Sequence, residues 1–154
     1  MNVEFINPFL KAIVNVLSTM AQIDTQPGKP CLKRHKLGEG DVTGMIGLVG
    51  PQAKGSLAIS FSESCILAVA SNMFGEDLQQ LDGTIADLVG EITNMVTGGA
   101  KRELAEKGYK FEMAIPTTIM GKGHTISHKT HGPVMIIPFE TDSGDFFIEV
   151  CFDQ

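Results

Sequence analysis

Asp82-Gly-Thr-Ile-Ala-Asp-Leu-Val-Gly-Glu-Ile-Thr-Asn-Met-Val-Thr-Gly-Gly-Ala100 reads as the first part of a long amphipathic helix over residues 84–107, ended by Gly108. With about 100° per residue and Asp87 at zero, Ile85, Leu88, Val89, Ile92 and Val96 fall between about 100° and 200°. That side is apolar and must be buried against something. Acidic Asp82 and Asp87 lie near the start, and Lys101, Arg102 and Lys107 near the end, as the helix dipole favours.

Working outward, the segments on either side supply the surface to bury it against. Residues 42–49 and 56–61 read as strands around the turn Gly50-Pro51-Gln52-Ala53-Lys54-Gly55. In the second, Leu57, Ile59 and Phe61 alternate with Ser56, Ala58 and Ser60, the pattern of a half-buried strand. Residues 31–36 are a further candidate strand, after a loop over Thr25–Pro30. On the C-terminal side, segments 111–120, 124–130, 134–140 and 146–152 are separated by turn sequences and predict an antiparallel meander. Two more helices are expected. Residues 3–21 place Phe9, Ile13, Val16, Leu17 and Met20 at helical spacing, with Pro8 near the first turn. Residues 63–74 lie between Ser62, a candidate N-cap, and Gly75, a candidate C-terminal stop. Strands in runs rather than alternating singly with helices predict an α+β fold. The expected architecture is one domain over residues 1–154, an antiparallel sheet of about six strands with long helices packed on it.

Composition narrows the function. The chain of 154 residues has a net charge of −6, which repels nucleic acid and anionic lipid. No apolar run reaches the roughly 18 residues of a membrane span. Cys31, Cys65 and Cys151 are odd in number and form no C-x-x-C pair, as expected of free thiols in a reducing compartment. These features together predict a cytoplasmic protein. His124, His128 and His131 crowd one region, but no Cys or carboxylate completes a close metal-ligand set. No Gly-x-Ser-x-Gly elbow occurs, and the glycines of Gly38-Glu-Gly40 and Gly121-Lys-Gly123 read as turn residues, not a phosphate cradle. The eight methionines suit a core or a dimer contact.

The chemistry-bearing residues lie on the other side of the central helix. Glu91 falls near 40°, Asn94 near −20° and Gly98 near 20° of Asp87. Asn is a poor helix former, and Gly98 and Gly99 cost about 1 kcal/mol each relative to Ala. Small residues on a solvent face admit another molecule, and a carboxamide offers it a donor and an acceptor. Each residue also has a plain structural alternative. Thr84-x-x-Asp87 fits a capping box, which would make Asp87 a helix-start device. Glu91 and Asn94 taken singly are ordinary surface residues.

Asp87-x-x-x-Glu91-x-x-Asn94 resembles the acidic-x-x-x-Glu-x-x-Asn motif of the CheC/CheX/FliY family of chemotaxis response-regulator phosphatases. Pro116-Thr-Thr-Ile-Met-Gly-Lys-Gly-His124 and Ile137-Pro-Phe-Glu-Thr-Asp-Ser-Gly-Asp-Phe-Phe-Ile-Glu-Val150 are similar to the family's sheet segments. The first helix offers Asn15, but Ala12 stands where a second motif would need Glu. The chain therefore carries a single site, and the resemblance to single-site members implies a homodimer joined through the sheet. It further implies a phosphorylated CheY-like receiver domain as substrate. Asn94 would orient the attacking water, Glu91 would pair with the receiver's lysine, and Asp87 and Gly98 would be contacts to that partner. No cofactor of its own is expected; Mg2+ would sit on the receiver. The alternative is a non-catalytic docking module like those of flagellar switch proteins, in which Glu91 and Asn94 are contacts only.

Overall fold

The structure, a computed structural model, describes residues 3–33, 40–122, 124, 126–128 and 132–153. Among the described residues there are three helices: α1 (Val3–Ala21), α2 (Glu63–Phe74) and α3 (Gly83–Glu106). The strands are β1 (Gln26–Pro27), β2 (Cys31–Leu32), β3 (Val42–Val49), β4 (Lys54–Phe61), β5 (Glu112–Met113), β6 (Thr117–Met120), β7 (Val134–Thr141) and β8 (Gly144–Asp153). They form one antiparallel sheet in the order β1-β7-β8-β4-β3-β5, with β2 also on β7 and β6 also on β3. The α+β expectation holds. The count of eight differs from about six because residues 111–120 divide into β5 and β6 and the two-residue β1 and β2 join the sheet, while 124–130 is not a strand at its described residues.

Local signals explain the helix ends. Ser62 caps α2 by accepting from the Cys65 N–H, and Gly75 stops it at φ 68°, a left-handed conformation suited to glycine. Pro8 lies further inside α1 than its first turn, because the helix begins at Val3. The three helices cover one face of the sheet. There Phe9, Ile13, Leu17, Val89, Ile92 and Val96 meet Ile46, Leu57, Ile59, Ile148 and Val150 in one buried cluster. Phe5, Phe111 and Phe152 close one end, and Phe61, Phe139 and Phe146 pack together at another.

The C-terminal half is not a meander. β6 pairs with β3 while β7 pairs with β8, so consecutive strands lie at opposite sides of the sheet with β3, β4 and β8 between them. The described residues between β6 and β7 lie on the face away from the helices. His124 Nε2 lies 2.8 Å from Thr43 Oγ1 on β3. His128 then bonds Ser56 on β4 through Nδ1 and Glu149 on β8 through Nε2. This is why 124–130 is not a strand at its described residues 124 and 126–128: the segment crosses the strands, with Ile126 buried, instead of pairing with them. It also explains why β4 is buried on both faces and not half-buried, since Ser56, Ala58 and Ser60 lie beneath that cover.

Smaller differences follow from pairing. β4 begins at Lys54 because its register with β3 runs to Val49↔Lys54, and the Gly50 N–H to Ala53 carbonyl bond closes a shorter turn. Thr25–Pro30 is not wholly loop, since Gln26 and Pro27 pair with Glu140 and Phe139. The strand expected over 31–36 is Cys31–Leu32; its residues 34–36, like His131, Gly38 and Gly123, lie outside the described residues.

Candidate functional site

Among the elements packed against it, β3, β6 and α1 show most directly which residues of α3 are kept from solvent. Beneath it, Gly44 of β3 leaves a notch for Thr93; a Cβ at Gly44 would collide with Thr93 Oγ1 and stand 3.0 Å from Val89 Cγ1. On one flank β6 approaches, with Thr118 Oγ1 donating to the Ala86 carbonyl at 3.3 Å. On the other, α1 packs so closely that a Cβ at Gly99 would stand 3.4 Å from Ala12 Cβ, and Lys11 pairs with Glu103 at 3.1 Å. Gly99 is therefore a packing residue, not part of an open face. It lies 100° on from Gly98, which turns it toward α1. A Cβ at Gly98 would meet nothing within 4 Å.

The helix start is capped by Asp82, whose Oδ1 accepts from the Thr84 and Ile85 N–H groups at 3.0 and 3.3 Å. The capping alternative for Asp87 therefore gives way: the donors near the helix start are met by Asp82, and Asp87 is exposed one turn further on. Glu91 is exposed and Asn94 half-buried. Among the described residues, Asp87, Glu91 and Asn94 form no hydrogen bond or ion pair, so their polar atoms are available to a second molecule. Three residues separate Glu91 from Asn94, a rise of about 4.5 Å along the axis. The result is a ridge carrying an acid and an amide one turn apart, followed by the bare backbone at Gly98.

Two surface grooves lie away from this ridge: one runs beside α1 at Leu10, Val14, Pro27 and Phe139, and another lies on the covered face of the sheet at Met45, Val49, Ser56 and Ile115; neither is lined by Glu91 or Asn94. A convex helix face suits insertion into a cleft on another protein better than capture of a small molecule.

Two features of the surroundings escaped the sequence reading. Thr93 and Thr97, wholly buried on the core side of α3, donate to the carbonyls of Val89 and Thr93, each at 2.7 Å. Behind the sheet, Glu149 is wholly buried and its Oε1 accepts from Lys33 Nζ at 2.7 Å and His128 Nε2 at 3.3 Å. Burial pushes the Glu149 carboxyl up, but the hydrogen bonds from His128 and Lys33 outweigh it and hold it below the ordinary value. The alternation Phe147-x-Glu149-x-Cys151 placed Glu149 opposite the core-facing set, but nothing local showed that this face is covered. His124 and His128 thus cover polar groups of the sheet. Among the described residues, no three His, Cys, Asp or Glu side chains gather as metal ligands, and no helix is long and apolar enough to cross a membrane.

An antiparallel sheet with helices on one face, whose central helix presents an acid–amide pair outward, defines the class: a CheC-like α+β domain. The chain belongs to the family described as Chemotaxis phosphatase CheX, whose profile matches residues 42–140. It is 27% identical over 148 residues to the CheY-P phosphatase CheX of Thermotoga maritima, covering 96% of this chain and 94% of that one. A CheC-like superfamily protein from Shewanella sp. PV-4 superposes with a TM-score of 0.95 at 54% identity, covering 100% of both chains. CheX of Borrelia burgdorferi, solved in complex with CheY, BeF3 and Mg2+, superposes with a TM-score of 0.82 at 28% identity, covering 99% of this chain and 100% of that one.

Proposed function

We propose that this protein is a phosphatase acting on the aspartyl phosphate of a CheY-like receiver domain, with Asn94 as the water-orienting residue and Glu91 as the docking acid. The observation that carries the reading is the pairing of Glu91 and Asn94 on the solvent side of α3 without partners among the described residues. The names of the Thermotoga and Borrelia relatives supply the partner class.

Hydrolysis needs a water in line with the bond to the aspartate oxygen: the water oxygen bonds phosphorus as the aspartate carboxylate leaves, giving inorganic phosphate. Holding that water in line removes much of the entropic part of the barrier. Asn94 suits the task because a carboxamide accepts from water without adding negative charge beside the phosphoryl oxygens. Glu91, one turn N-terminal, pairs with the receiver's lysine and sets the depth of insertion. Asp87 meets the rim of the partner, and the bare backbone at Gly98 lets the partner close over the helix. The receiver brings Mg2+ and its lysine to the phosphoryl group. The protein acts as a homodimer joined through the sheet, as the family resemblance implies, and sedimentation equilibrium gives its mass directly.

The decisive assay mixes purified protein with phosphorylated receivers and follows phosphate release. Wild type accelerates decay, while Asn94→Ala, at a surface position, folds normally and loses nearly all acceleration. An unchanged rate in Asn94→Ala overturns the assignment. Binding of the phosphorylated receiver without faster decay makes the protein a docking module instead.

A further inference from the structure

The core side of α3 is apolar at Ile85, Leu88, Val89, Ile92, Val96 and Ala100, yet two buried hydroxyls interrupt it at Thr93 and Thr97. Among the described residues, neither hydroxyl bonds another element. Thr93 Oγ1 donates to the Val89 carbonyl and Thr97 Oγ1 to the Thr93 carbonyl, each at 2.7 Å and four residues back along the same helix. Such bonds add little stability and bend helices, because the carbonyl is drawn toward the hydroxyl as well as toward the N–H four residues on. The two carbonyls lie on either side of Glu91, and the second, that of Thr93, belongs to the peptide unit that leads into Asn94. The sheet is also shaped around the first hydroxyl: Gly44 lacks the Cβ that would collide with Thr93 Oγ1. Valine has nearly the same shape and would fill this site without a hydroxyl, so packing alone does not account for threonine.

We infer that Thr93 is a positioning residue for the proposed reaction: its buried hydroxyl, seated over Gly44 and bonded to the Val89 carbonyl, sets the backbone of the Glu91–Asn94 turn and hence the direction of the Asn94 amide. The inference rests on the phosphatase reading for its kinetic consequence, but not for its structural one. The hydroxyl bond selects one of the two Thr rotamers open in a helix, which fixes where the methyl packs and how the turn sits on β3. Displacement of a water-holding amide by a fraction of an ångström weakens in-line attack without touching the docking contacts.

Two variants test this. Thr93→Val keeps the shape and leaves no group unsatisfied, since the Val89 carbonyl keeps its backbone N–H partner. Thr93→Ser keeps the hydroxyl and loses a buried methyl. The expected result is a kcat about tenfold lower in Thr93→Val with KM unchanged and a urea midpoint at or above wild type. Thr93→Ser has a lower midpoint but a kcat close to wild type. Activity and stability then run in opposite orders. A purely structural Thr93 makes activity follow stability, and that outcome overturns the inference. In the free protein, the side-chain amide resonance of Asn94 shifts in Thr93→Val and returns in Thr93→Ser; a resonance unmoved by Thr93→Val overturns the inference whatever the activity. Wild type inactive on every phosphorylated receiver overturns the phosphatase reading alone, and the resonance still decides the role of Thr93.

Discussion

Lys33→Met removes the ammonium that meets Glu149 behind the sheet, and the structure sets the size of the effect. Glu149 lies on β8 between β7 and β4, opposite Ile136 and Ala58, and its side chain is wholly buried. It cannot reach water without displacing the His128 and Lys33 side chains that cover it. Lys33 Nζ is 2.7 Å from Oε1, with 7% of the lysine side chain exposed. Glu149 Oε2 is buried with no partner among the described residues, so the carboxylate depends on Lys33 and His128. Removing one partner of a buried ion pair costs about 3–5 kcal/mol. Because His128 stays at 3.3 Å, the low end applies, about 3 kcal/mol. With a urea dependence of about 2 kcal/mol per molar, the midpoint at pH 7 falls by about 1.5 M. The sign with pH follows from the lowered Glu149 carboxyl: its contribution is present above the unfolded value of 4.5 and is lost as pH falls through the folded value below it. The gap between wild type and Lys33→Met therefore narrows in acid. Lys11→Met is the control, since Lys11 is 71% exposed in its pair with Glu103 and such pairs contribute at most about 1 kcal/mol. Equal midpoints for wild type and Lys33→Met at pH 7 would refute the reasoning.

Three further outcomes are expected. Asp82→Ala leaves the Thr84 and Ile85 N–H groups without their cap and lowers stability by about 1 kcal/mol in the same urea assay. Gly44→Ala forces α3 away from β3 at Thr93 and Val89, costing about 1–3 kcal/mol by overpacking. In native protein at pH 8, iodoacetamide modifies the exposed Cys31 and spares Cys65, whose thiol burial pushes up to about 11; mass spectrometry of the peptides reads the difference.

Much of the architecture was legible because helices and strands write their periods into the sequence. The apolar sides of α1 and α3, the Ser62 and Gly75 boundaries of α2, and the core-facing alternation of Leu57, Ile59 and Phe61 follow from spacing within one element. So does the shared outward direction of Asp87, Glu91, Asn94 and Gly98. The capping role of Asp82 was half legible: an acid at the helix start was noted for the dipole, while Thr84-x-x-Asp87 offered a competing cap.

What the sequence by itself determined, then, is which residues share a side of their own element, including the acid and amide on α3. Only the tertiary structure decided what lies against each side. It turned Gly99 onto Ala12, set Thr93 over Gly44, laid His124 and His128 against β3, β4 and β8, and brought Lys33 and His128 to Glu149, 116 and 21 residues away. The physical reason is range. A helical or strand period reports which side must be buried or paired, but the partner that covers it is chosen by pairings between distant segments, which leave no mark on the local pattern.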